Sequence, residues 1–124
     1  MRRDADLSRE ILFYIEERSP PQGSLDAPID VPGYDQPTIL AHTDLLIDEG
    51  LVDGRTLQGP VGPIQVVVRK LTPSGHDAIA AIRDATIWAK AKKFAIDKGV
   101  TLTLGVLIPI AKAEVSKRLG LSSN

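Results

Sequence analysis

The sequence contains no cysteine, and histidine occurs only at His42 and His76. The first absence excludes disulfide frameworks, Cys-ligated zinc, iron–sulfur clusters and thiol nucleophiles, and it fits a cytoplasmic location. Two separated histidines supply too few ligands for an ordinary zinc site. Aromatic residues make up only 4% of the chain, with one tryptophan, Trp88. No long apolar run is present. The longest, Val100 to Ala111, is interrupted by Thr101, Thr103, Gly105 and Pro109, whereas a membrane span needs ~20 residues. Arg2-Arg3 is followed by Asp4 and Asp6 instead of an apolar segment, so no secretory leader is expected. A net excess of charge is also lacking. The total is −1, which by itself points to neither nucleic acid nor membrane.

What is present is a globular composition: 124 residues, 43% apolar and 25% charged, the size of one domain. The near-zero charge conceals a division. Residues 1–62 carry five basic and twelve acidic side chains, a net of −7, and residues 63–124 carry ten and four, a net of +6.

Hydrophobic spacing outlines the elements. Leu7, Ile11, Tyr14 and Ile15 form a helical stripe that runs from Asp4 or Asp6 to Arg18 and ends before Ser19-Pro20-Pro21. Pro28 to Val31 reads as a short extended piece before Pro32-Gly33. Pro37 to Glu49 reads as a second helix, with Ile39, His42 and Leu46 inward and Gly50 as its stop. Leu51 to Leu57 and Ile64 to Leu71 then form a hairpin around Gln58-Gly59-Pro60-Val61-Gly62-Pro63. Thr72-Pro73 opens a long helix that reaches Asp97, with a kink placed near Asp84–Thr86. In the tail, Leu104, Leu107, Ile108, Ala111, Val115 and Leu119 repeat at helical spacing. Pro109 either kinks that helix or marks its first turn, with the start at Ile108.

The order helix, strand, helix, β-hairpin, long helix is that of a winged helix, with an additional C-terminal helix. The expected fold is therefore α+β, mostly helical. Residues 1–98 form the winged-helix domain, and residues 99–124 an amphipathic extension that packs on the core or on a partner. Four segments also resemble the family known as domain of unknown function 2513, found in bacteria and phages. They are Met1-Arg2-Arg3-Asp4-Ala5-Asp6-Leu7, the stretch His42-Thr43-Asp44-Leu45-Leu46-Ile47-Asp48-Glu49-Gly50-Leu51, the stretch Arg69-Lys70-Leu71-Thr72-Pro73-Ser74-Gly75-His76-Asp77, and Ile82-Arg83-Asp84-Ala85-Thr86-Ile87-Trp88. The resemblance implies a winged helix and no established activity, so it assigns no catalytic residue. This chain departs from the family pattern at Pro73 and Pro109.

Several side-chain groupings have a simple structural reading. Ser74, His76 and Asp77 lie in one helical turn, where successive residues point ~100° apart, so they cannot converge as a triad. His76 reads as a packed or capping residue and His42 as a satisfied core histidine. Asp44 and Asp48 read as a solvated helix face. Gly59-Pro60-Val61-Gly62-Pro63 lacks the Gly-Lys-Ser/Thr ending of a phosphate loop. Trp88 reads as core. No catalytic, cofactor-binding or metal site is expected, and no cofactor or small-molecule substrate.

The second helix, where a winged helix would meet DNA, has no Arg, Lys, Asn or Gln between Pro37 and Glu49 and carries a net −3. Phosphate repulsion disfavours docking through it. The helix that normally precedes it is missing too, because Ser19 to Gln36 is proline-rich and has no helical stripe. The expected function is a non-catalytic interaction or dimerisation module. A homodimer or a protein partner would be held through Leu104, Leu107, Ile108, Val115 and Leu119. The alternative is a DNA-binding regulator that uses a non-standard basic face, with Arg55, Lys90, Lys92 and Lys93 as contacts.

Overall fold

A computed structural model describes residues 2–120. The element order is α1 (Ala5–Arg18), α2 (Gln36–Asp48), β1 (Val52–Gly59), β2 (Gly62–Leu71), α3 (Pro73–Ile82), α4 (Ala85–Asp97) and α5 (Leu104–Arg118). The fold is thus α+β, five helices with a two-stranded antiparallel hairpin. The last four residues of the expected C-terminal extension, 121–124, lie outside the described residues. The chain forms two compact units, Asp6–Asp77 and residues 78–124 together with 1–5, so the division falls inside α3. Gly99, the expected boundary, lies inside the second unit.

In the first unit, α1 buries Leu7, Ile11, Leu12 and Ile15 completely, as its spacing requires. Arg9 lies over the Phe13 ring at 4.7 Å and Arg18 over Tyr14 at 4.1 Å. After Arg18 no helix or strand forms until Gln36. The strand expected at Pro28–Val31 is absent, and the segment is irregular instead. It has neither a paired neighbour strand nor an alternating pattern long enough to make one. Three contacts tether it: Leu25 N–H to the Val68 carbonyl at 2.8 Å, Gln36 Nε2–H to the Ile29 carbonyl at 2.8 Å, and Tyr14 O–H to the Pro28 carbonyl at 3.5 Å. Ile29 and Val31 are buried.

Helix α2 begins where the Asp35 carboxylate accepts the Thr38 N–H at 2.9 Å. It ends in a left-handed glycine, Gly50, at φ 79°. Gly50 N–H reaches the Ile47 carbonyl and Leu51 N–H the Leu46 carbonyl, which is the Schellman pattern. Leu51 and Val52 enter the hairpin buried. Pairing runs from Val52 opposite Leu71 to Gly59 opposite Gly62, and it slips at Arg69 and at Ile64, each an extra residue in β2. The hairpin packs on α2. A Cβ added to Gly54 would lie 3.2 Å from Ile47 Cδ1 of α2 and 2.6 Å from the Val67 carbonyl oxygen.

In the second unit the helix expected to reach Asp97 with a kink near Asp84–Thr86 is two separate helices. They are separated at Arg83-Asp84, because Asp84 turns extended (φ −72°, ψ 123°) and caps α4. Helix α4 buries Ile87, Trp88, Ala91 and Ala95, and α5 buries Leu104, Leu107 and Ala111. Arg118 at the end of α5 reaches Asp84 at the start of α4, at 3.0 Å, so the two helices are antiparallel. Helix α5 starts at Leu104 under a Thr103 cap, with Pro109 inside it. The proline withholds the N–H that would meet the Gly105 carbonyl. Gly105 is exposed.

Candidate functional site

The first unit contains a cleft of about 440 Å³, within the range of sites that hold small ligands or peptide segments. Gln36, Ile39, Leu40 and Thr43 of α2 line it, together with residues 24–29 of the irregular segment and residues 64–68 of β2. Segment and strand are pinned together by the bond from Leu25 to Val68. Ile39 is buried and Leu40 half-buried, and the Thr43 hydroxyl donates to the Ile39 carbonyl at 2.8 Å. These residues present an apolar surface with one satisfied hydroxyl. Among the lining residues Asp26 is the sole charged one, and none is histidine. The wall therefore offers hydrogen bonds and one negative charge, but no acid–base pair of the kind hydrolytic chemistry uses.

The edge of β2 supplies the main-chain groups. In an antiparallel ladder, alternate residues turn both N–H and C=O toward the partner strand, and the others turn both away. The Val68 carbonyl faces away from β1, since it accepts the Leu25 N–H. Val67, opposite Arg55, bonds to β1, and Val66, opposite Thr56, faces outward again. Among the described residues, the bond from Leu25 is the one backbone hydrogen bond on that outer edge. The hydroxyl of Thr56, across from Val66, is buried without a hydrogen-bond partner among the described residues.

The residues singled out from the sequence lie elsewhere. Lys90 and Lys93 are exposed on α4, where Lys93 pairs with Asp97 at 3.0 Å. Lys92 is half-buried, with its ammonium 5.7 Å from the centre of the Trp88 ring. Arg55 is exposed on β1, in the other compact unit. Along α5, Leu104 and Leu107 are buried within the chain, Ile108 and Val115 are half-buried, and Leu119 is 68% exposed. His42 is fully buried, and its Nδ1–H donates to the Thr38 carbonyl at 2.8 Å. His76, expected to be packed or capping, is exposed instead, because the first turn of α3 turns Gly75 inward and leaves Ser74, His76 and Asp77 outward. Among the described residues no group of three or more His, Asp or Glu side chains could hold a metal ion, and no helix is long and apolar enough to cross a membrane.

The cleft escaped the sequence reading because the segment from Ser24 to Ile29 has no periodicity and bonds β2 through its main chain. One signal was available. A two-stranded hairpin leaves an outer edge on each strand unless a third strand covers it, and among the described residues none does.

Two of the segments that carry the family resemblance, 42–51 and 69–77, meet where the hairpin joins α2 and α3. Thr72 donates its hydroxyl to the Gly50 carbonyl at 2.6 Å, its N–H bonds the Leu51 carbonyl, and its oxygen accepts the Gly75 N–H at 3.0 Å. Residues 2–101 match the family described as "Hypothetical protein (DUF2513)". An uncharacterised protein of Haemophilus influenzae is 31% identical over 119 residues, which cover 96% of this chain and 99% of the relative. No solved structure gives a significant match. On the match and on the shared length, the chain belongs to the DUF2513 family.

Proposed function

We propose that the chain is a non-catalytic protein-interaction module, a reduced winged helix in which α2 and the β1–β2 hairpin frame a docking cleft for a short segment of a partner protein. The observation that carries this reading is the cleft itself. It has an apolar surface on α2, a tethered segment on one side and a strand edge with unused main-chain groups on the other. The acidic character of α2 and the lack of an acid–base pair in the wall support a binding role over DNA readout through α2 or catalysis. The partner is read as a separate polypeptide, since the chain itself buries Leu104 and Leu107 of the α5 stripe.

The test uses peptides selected from a random display library on the full-length protein, with affinity read by fluorescence anisotropy. Ala27 is exposed on the rim of the cleft, so Ala27→Trp fills the opening without disturbing the core. The variant is expected to bind about tenfold more weakly while it melts at the wild-type temperature. The pair Lys90→Glu and Lys93→Glu is expected to leave peptide affinity unchanged. Full affinity in Ala27→Trp removes the cleft reading.

A second reading, nucleic-acid binding through α4, is favoured by one observation: the charge division follows the compact units. Residues 6–77 carry a net −7, and residues 78–124 with 1–5 carry a net +6. Titration of a DNA duplex at about 50 mM salt tests it, since phosphate contacts register there if they exist. No binding at that salt removes it.

A further inference from the structure

We infer that the occupant of the cleft is an extended, cationic peptide that joins the sheet as a third strand on β2, registered on Val66. The inference rests on the reading of the cleft as a docking site and adds the mode of binding and the chemistry of the ligand.

Three observations carry it. First, the chain itself begins a third strand on this edge, where the Leu25 N–H bonds the Val68 carbonyl at 2.8 Å, and then abandons it. By the alternation of the ladder, the next outward pair of main-chain groups is the N–H and C=O of Val66. Both lie on the part of β2 that lines the cleft. Residues 64–68 span ~13 Å, enough to pair about four residues of an added strand. Such addition draws affinity from main-chain hydrogen bonds and specificity from alternate side chains.

Second, the cleft is asymmetric across that added strand. One face of the strand would look onto Ile39, Leu40 and Thr43, where aliphatic or β-branched side chains fit. The other face would look outward past Gln65, which is exposed. Alternation of small apolar with polar residues satisfies both faces.

Third, the surroundings are acidic. Asp26 is the one charge in the wall, and the unit that holds the cleft carries twelve acidic and five basic side chains. A lysine- or arginine-bearing strand is the complementary ligand, and an acidic one is repelled.

The probe is a capped hexapeptide that alternates valine and lysine, titrated into isotope-labelled full-length protein. Companion peptides carry a single N-methyl group at each amide in turn, and another replaces lysine with glutamate. The expected result is that the Val66 amide proton shifts downfield and its hydrogen exchange slows. Methylation of the amide that donates to Val66 should weaken binding about tenfold, while methylation of its neighbours, which point away, has little effect. The glutamate peptide should bind at least tenfold more weakly, with a gap that narrows as salt is raised. If the peptide perturbs Ala27 and Leu40 but leaves Val66 exchange unchanged and tolerates every N-methyl group, strand addition is overturned and docking in the cleft stands. If neither this peptide nor any library-selected peptide perturbs residues of the cleft, the docking reading falls as well.

Discussion

At the scale of single residues, the junction between α2, the hairpin and α3 depends on Gly75. A Cβ at this position would fall onto the Leu51 carbonyl oxygen, the same atom that accepts the Thr72 N–H. Alanine there must displace backbone, so Gly75→Ala is expected to destabilise the fold by about 1–3 kcal/mol, measured by urea denaturation with an unchanged m-value. Thr56 makes the opposite case. Its buried hydroxyl has no hydrogen-bond partner among the described residues, and valine has nearly the same shape with better strand propensity. Thr56→Val is therefore expected to raise stability by about 1 kcal/mol, because an unsatisfied buried group is removed. A loss of stability in the same experiment would mean that the hydroxyl has a partner in solution. The buried place of His42 was legible from its position four residues before Leu46. The exposure of His76 was not, because a serine–glycine–histidine run in a first helical turn has no periodicity to show which residue turns inward.

At the scale of elements, the break between α3 and α4 is a capping event. Ile79, Ile82 and Ile87 keep an apolar rhythm across it, so hydrophobic spacing alone reads through as one helix. Asp84 decides otherwise by accepting the Ile87 N–H at 3.0 Å and the Thr86 N–H at 2.8 Å. Those bonds, Ile87 first, together with Arg118 hold its carboxyl below the ordinary carboxylate range, against an opposing contribution from desolvation. Asp35 is lowered likewise by the hydroxyl and the N–H of Thr38. A depressed folded-state pKa contributes stability that is fully present above the unfolded value, about pH 4, and is lost as pH falls through the folded value. The melting temperature is thus expected to fall on acidification below pH ~4. In Asp84→Asn, which keeps a capping oxygen but cannot titrate, that acid-induced fall should be smaller. Identical acid profiles for wild type and variant would show that the titration of Asp84 does not contribute. The ends of α2 and α4 and the start of α3 were legible because Gly50, Gly99 and the Thr72-Pro73 pair carry their own backbone preferences, whereas Pro109 left the start of α5 open between two readings. The segment 19–35 was legible only as something other than a helix, since its position is set by hydrogen bonds to β2 and α2 that leave no pattern in the side chains.

At the scale of the whole molecule, the sequence showed a chain of balanced total charge made of opposed halves, and the compact units give the division a structural meaning. The acidic unit holds the cleft and the basic unit holds the α4–α5 pair. The apolar rhythm of α5 suggested a partner surface, yet much of it closes on the chain's own second unit, with Leu104 and Leu107 buried and Leu119 outside. A stripe at helical spacing announces that something covers it without saying what. The free strand edge was the reverse case, invisible as a side-chain pattern and definite once the pairing of β1 with β2 was known. The most direct test of the account is a chemical-shift map of the labelled full-length protein with the tightest library-selected peptide. The account predicts that the largest changes fall on residues 25–29, on Gln36, Leu40 and Thr43, and on residues 64–68, with Val66 foremost. A map centred on Lys90, Lys93 and their neighbours on α4, with the cleft unperturbed, would contradict it.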